Sequence, residues 1–352
     1  MPTPTITTRE KLQDYLHHAM ELEHATIPPY LLALYSIHPG TNSDATHILR
    51  VVVVEEMLHL TLAANLLNAV GGAPNPSATG FVPHYPTGLP DGETDFEVSL
   101  TRFSRNAVET FLKIERPGHD LGSAPRLVSR KRPSTSKLGA CRGEKDMHYY
   151  SIGDFYKEIA LGLEYLYQQM GGTLFCGDVQ KQVTAEYYYS GGGGLFPVTD
   201  QKSALAALDL IIGQGEGATG RMYDDDGELA HYYRFLQLKL GKYFQKGDKA
   251  DAPSGPALKV NWDAVHPIKA NARLADYTTP ELRAAAVAFN NSYKEFLALL
   301  TAAYNGAPRL LLQAVPQMFK LRDQMCQLIH NPIPGMDGVN AAPTFEIEGT
   351  AP

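Results

Sequence analysis

The chain has 352 residues, with 31 Lys plus Arg against 38 Asp plus Glu and a formal net charge of -7. At ~150 residues per domain, that length allows two domains or one enlarged domain. No basic run interrupts the acidic balance, which excludes nucleic acid and anionic membrane as partners, and 44% hydrophobic with 20% charged residues excludes disorder for the bulk of the chain.

The first element runs from Thr8 to about Ile37, where Leu12, Leu16, Ala19, Glu23 and Ile27 share one helical face. Pro28 and Pro29 each remove a ladder donor and should kink it. A second helix extends from Ser43, a plausible cap, to Val70, with Gly71 and Gly72 as the stop. Residues 71–147 change character: proline, glycine and strand-like pieces such as Phe96 to Phe103 alternate, with one short helix near Asn106 to Glu115. The basic stretch Arg126 to Arg132 reads as a solvated loop. This region is a long insertion of the kind that shapes a binding site.

A third helix is capped at Ser151, with Asp154 three residues on, and ends at Gly171-Gly172. Its stripe is Phe155, Ile159, Leu163, Leu166 and Met170. Helical pattern returns at Gln201 to Glu216 and again from Gly227 to about Phe244, followed by a polar linker over 246–257. Two further helices, about Pro280 to Tyr304 and Pro308 to His330, precede a proline-rich, extended tail. These patterns predict a bundle of about 1–245 containing the insertion, and an extension over 246–352. The three cysteines (Cys141, Cys176 and Cys326) lie too far apart for a zinc motif or a disulfide framework. The leading MPTPTITTREKLQ has no signal pattern, and no apolar run reaches the ~18 residues of a bilayer span. Together these features predict a soluble, cytoplasmic chain, compatible with a homo-oligomer.

The chemistry concentrates on the second helix. From Val51 to Val70 it is apolar on nearly every side, yet it carries Glu55, Glu56 and His59. A buried carboxylate without a partner costs several kcal/mol, so these groups need one. Glu56 and His59 have the Glu-x-x-His spacing of metal ligands in four-helix bundles, and Glu55 with His59 at i, i+4 is the alternative. A buried Glu-His hydrogen bond would explain the pair without any metal. Glu23 sits on the apolar stripe of the first helix and Glu158 borders that of the third. Glu216 lies on the stripe of Leu205, Leu208 and Ile212, and His231 follows, with Glu228 as the alternative acid. One carboxylate from each of two helices, plus a carboxylate and a histidine from each of two other regions, is the ligand set of a carboxylate-bridged metal pair. Glu56 or Glu158 would be the bridge. Mixed oxygen and nitrogen ligands suit iron or manganese, then copper or zinc. Tyr30, Tyr156, Tyr165 and Tyr232 fall near the proposed centre by helix face and read as packing and hydrogen-bonding groups. Arg234 reads as the partner of a neighbouring acid, with a hold on a substrate carboxylate as the alternative.

Leu22-Glu23-His24-Ala25-Thr26-Ile27-Pro28-Pro29-Tyr30 followed by Glu55-Glu56-Met57-Leu58-His59 resembles the ferritin-like family named for iminophenyl-pyruvate dimer synthase. Asn65 to Gly72, Ser151 to Tyr156, Gln214-Gly215-Glu216-Gly217 and His231 to Phe235 extend the resemblance over about residues 8–240. It implies a mainly α, ferritin-like four-helix bundle with a long loop insertion and additional C-terminal helices. Its implied ligands are Glu23, Glu56, His59, Glu158, Glu216 and His231 around two metal ions, iron foremost with manganese or copper as alternatives. Dioxygen would be the co-substrate. Related domains occur in larger enzymes of violacein and rebeccamycin-type pathways, which couple two tryptophan-derived imines and carry further haem-associated sequence. The expected function is O2-dependent oxidation or oxygenation of a small, amino-acid-derived metabolite in a biosynthetic pathway. The alternatives are a non-catalytic metal-binding scaffold and a di-metal hydrolase.

Overall fold

A computed structural model describes residues 4–90, 92, 95–118, 125–129, 147–189, 194–217, 222–224 and 226–347. Helix α1 (Arg9–Ser36) lies along α2 (Ser43–Ala69), and α4 (Ile152–Met170) lies along α5 (Gln201–Glu216). The contacts of α1 with α4 and of α2 with α5 close these four into a bundle. The short helices α3 (Arg105–Ile114) and α6 (His231–Leu240) pack on each other, and α6 also touches α2 and α5. The pair α7 (Pro280–Tyr304) and α8 (Leu310–Ile329) packs on α2 and α1. Buried apolar residues from Ile6 to Phe345 form one contiguous cluster, so this hairpin shares the core of the bundle. Among the described residues, no helix is long and apolar enough to cross a membrane.

Local chemistry sets most helix ends where the pattern places them. Thr8, Ser104 and Ser151 each accept the amide three residues on, which satisfies one of the donors left open at a helix start. Gly71 (φ +79°) and Gly171 (φ +56°) take the positive φ that ends α2 and α4. Four expectations are corrected. The cap of α2 is Asn42, not Ser43, and its amide instead pins the loop at Asn261 through two hydrogen bonds of 2.8 Å. Residues 96–103 form no strand; only Val98 pairs, with Thr87. Within the supposed basic loop, β1 (Leu127–Ser129) pairs antiparallel with β2 (Met147–Tyr149), Val128 opposite His148. The helix expected from Gly227 begins only at His231, because Gly227 turns (φ +82°) and Tyr223 bridges to Leu229.

Helix α1 continues through Pro28 and Pro29. Pro29 has no N–H to offer the Ala25 carbonyl four residues back, and the buried Tyr85 hydroxyl donates to that oxygen instead at 2.8 Å. Tyr85→Phe therefore orphans a buried carbonyl and should cost about 1–3 kcal/mol in urea unfolding. An unchanged unfolding midpoint would show that another group satisfies this carbonyl.

Candidate metal centre

Each functional side chain reaches the bundle interior from an apolar helix face. Glu23 comes from α1, and Glu56 and His59 come from α2, one turn apart. His231 is the first residue of α6. Glu115 follows the last turn of α3. All five are 0–4% exposed. Two triads of candidate ligands form among the described residues: Glu23, Glu56 and His59, and Glu56, Glu115 and His231. Glu56 belongs to both.

The carboxylates share one arrangement, an outer oxygen held by a hydroxyl and an inner oxygen left toward the histidines. Tyr156 donates to Glu23 Oε1 (2.5 Å), Thr26 to Glu56 Oε2 (2.6 Å), and Tyr30 to Glu115 Oε1. Facing inward, Glu23 Oε2 lies 3.4 Å and Glu56 Oε1 3.8 Å from His59 Nδ1. Glu56 Oε1 lies 3.0 Å and Glu115 Oε2 3.5 Å from His231 Nδ1. The two imidazoles are nearly parallel, with centroids 5.5 Å apart. Their outer nitrogens are held as well: His59 Nε2 by Gln214 Oε1 and His231 Nε2 by Glu55 Oε2, both at 2.9 Å.

Three carboxylates converging in a dry interior repel one another, and the protein answers with protons. Burial would push His59 and His231 down. Their carboxylate neighbours outweigh it and hold both above the ordinary histidine range, His231 well above it. Burial and the charge of Glu56 push Glu115 up. Burial, reinforced by the same carboxylates, puts Tyr30 and Tyr156 far above the usual phenol range, so both remain hydrogen-bond donors. Glu55, only partly buried, is pulled down: His231 and Arg234 outweigh the desolvation.

The donor set fits divalent cations. His231 Nδ1 is buried and, despite carboxylate oxygens at 3.0 and 3.5 Å, makes no hydrogen bond of acceptable angle among the described residues. An orphaned ring nitrogen among inward carboxylate oxygens is what a metal ligand looks like before its ion arrives. The outer contacts supply the orientation that ligating histidines and carboxylates require.

The structure thus brings together four of the six residues expected from sequence: Glu23, Glu56, His59 and His231. Glu158 is buried elsewhere. Its Oε1 accepts the Thr5 amide at 2.6 Å, and it joins neither triad. The side chain of Glu216, the last residue of α5, lies outside the described residues. Glu228 is exposed and pairs with Arg234 at 3.2 Å, the acid partner expected for that arginine. Glu115 was missed, although Val108, Phe111 and Leu112 put it on the buried face of α3, the same signal that marks Glu23. The holding roles of Thr26 and Gln214 have no such signal.

A helical bundle whose core gathers carboxylates and histidines in two overlapping triads defines a class of candidate metal proteins. The chain belongs to the ferritin-like family, whose sequence profile matches residues 16–240. It is 26% identical to dichlorochromopyrrolate synthase of Lentzea aerocolonigenes over 97% of its own length. That alignment covers 36% of the relative, so the chain spans about a third of that protein. A crystal structure of a ferritin like protein from Caulobacter vibrioides aligns with a TM-score of 0.61 at 24% identity, over 92% of this chain and 96% of that one.

Proposed function

We propose that the chain is a di-metal enzyme of a biosynthetic pathway that oxidises or oxygenates a small, amino-acid-derived metabolite with dioxygen. The carrying observation is the convergence of Glu23 Oε2, Glu56 Oε1, Glu115 Oε2 and the two Nδ1 atoms, with the His231 nitrogen orphaned. Glu56 would be shared, Glu23 and His59 would complete one position, and Glu115 and His231 the other. Iron or manganese suits this oxygen-rich set. Bound there, a redox-active pair supplies the electrons that dioxygen reduction needs, whereas a redox-inactive pair would activate water. The likeness to a synthase whose name denotes a natural-product intermediate supports the biosynthetic reading.

The protein's own residues frame the chemistry. Tyr156 and Tyr30 keep the terminal carboxylates turned inward and stay protonated. Glu115 and Tyr156 also face a cavity of about 20 Å³ walled by Ile152, Ile211 and Ile212. That space suits a molecule the size of water or dioxygen and not an aromatic amino acid.

Protein purified without oxygen and loaded with Fe(II) or Mn(II) should retain two ions per chain by mass-spectrometric metal analysis. The iron form should then consume dioxygen faster when amino-acid-derived substrates are added. Fewer than one ion per chain overturns the di-metal reading. Two ions without dioxygen uptake overturn the oxidase.

A further inference from the structure

We infer that the two metal positions are inequivalent and fill in order, the one formed by Glu56, Glu115 and His231 first, because the carboxylate of Glu55 holds His231 while, among the described residues, the neutral Gln214 holds His59. This rests on the di-metal reading above and goes beyond it.

Both histidines turn Nε2 outward and Nδ1 inward, but their outer partners differ in kind. A carboxylate only accepts, so Glu55 Oε2 at 2.9 Å takes the Nε2–H of His231 and turns Nδ1 inward. Arg234, 3.9 Å from the other oxygen of Glu55, keeps that carboxylate in place. Gln214 also sits 2.9 Å from its histidine, yet an amide offers an acceptor oxygen on one side and a donor nitrogen on the other. Gln214 carries no charge, so it strengthens the His59 ring as a ligand less than Glu55 strengthens that of His231.

Charge points the same way. The His231 position has the carboxylates of Glu56 and Glu115 inside and that of Glu55 outside. The His59 position has Glu23 and Glu56 inside and, among the described residues, the neutral Gln214 behind its ring. A carboxylate behind a ligating imidazole makes it the more basic ligand. Both positions draw on Glu56 Oε1, so a cation at the first weakens the pull on a second and widens the separation.

The test is an anaerobic titration of metal-free protein with Co(II), followed by visible absorption. Wild type should show two steps whose dissociation constants differ at least about tenfold. Glu55→Gln should weaken the tight step by about 10–100-fold and merge it with the weak one. Gln214→Glu should tighten the weak step. His59→Ala should keep the tight step and His231→Ala should lose it, which identifies the positions even if an outer-contact variant folds poorly. Two equal steps in wild type, or a tight step surviving in His231→Ala, overturn the inference and leave the di-metal reading standing. A chain that takes up no Co(II) overturns both.

Discussion

Glu56→Gln should bind fewer than one metal ion per chain where the native protein is expected to bind two. Glu56 is the only side chain common to the two triads, and Thr26 holds its outer oxygen so that the inner one serves both. Losing that oxygen removes a ligand from both positions at once, a larger effect than the about 10–100-fold that outer contacts are worth. Glu23→Gln and Glu115→Gln should each lose one ion, because each carboxylate belongs to one triad. Glu158→Gln should lose none, since Glu158 is engaged by the Thr5 amide. Metal analysis of the four variants gives a pattern rather than a single number. A Glu56 variant that keeps two ions would remove the shared ligand from the assignment. The folded state should persist in the three site variants, because neutralising one of several crowded buried carboxylates relieves repulsion in the metal-free protein.

Phe235→Ala should cost about 3–5 kcal/mol of stability, the usual loss on truncating a buried aromatic. Phe235 is fully buried on α6, with ring centroids 5.3 Å from Tyr30 and 5.2 Å from Phe111. Those rings pack edge to face on each other at 4.7 Å, so the three tie α6 to α1 and α3. His231 lies one turn before Phe235, Tyr30 holds Glu115, and Phe111 lies one turn before Glu115. The same truncation should therefore loosen the His231 position and leave the His59 position better occupied. Denaturant unfolding of metal-free protein measures the first effect, and metal content after loading measures the second. A loss below about 1 kcal/mol would mean that α6 is not anchored through this ring.

The helices were legible because a carboxylate or histidine on a twenty-residue apolar face is conspicuous. The same pattern pointed to Glu23, Glu56 and His59, while His231 was picked out by the repeated Glu-x-x-His spacing. It could not choose between Glu55 and Glu56, and the structure shows why: both touch His231, one on each ring nitrogen. Glu158 shows the limit of the pattern. An acid on a buried face is equally well satisfied by a backbone amide from a distant segment, and helix periodicity carries no information about Thr5. Glu115 was hidden for the opposite reason. Its helix has ten residues and lies inside a stretch rich in proline and glycine, so the region read as a cover over the bundle rather than part of its interior. The strands at 127–129 and 147–149 are three residues each, below what alternation can reveal.

That Glu115 and His231 come from α3 and α6 has a consequence for how the protein matures. Ten-residue helices are marginal in isolation and hold their shape only when docked. The candidate ligands run from residue 23 to residue 231, so no cation finds its full set until nearly two thirds of the chain has emerged and the insertion has settled against α6. Any ion that binds only this docked arrangement stabilises it by mass action, in proportion to the logarithm of its free concentration. A metal-loaded centre would then act as a latch on its own scaffold: metal supply would govern how long α3 and α6 stay closed, and metal-starved protein would open there first.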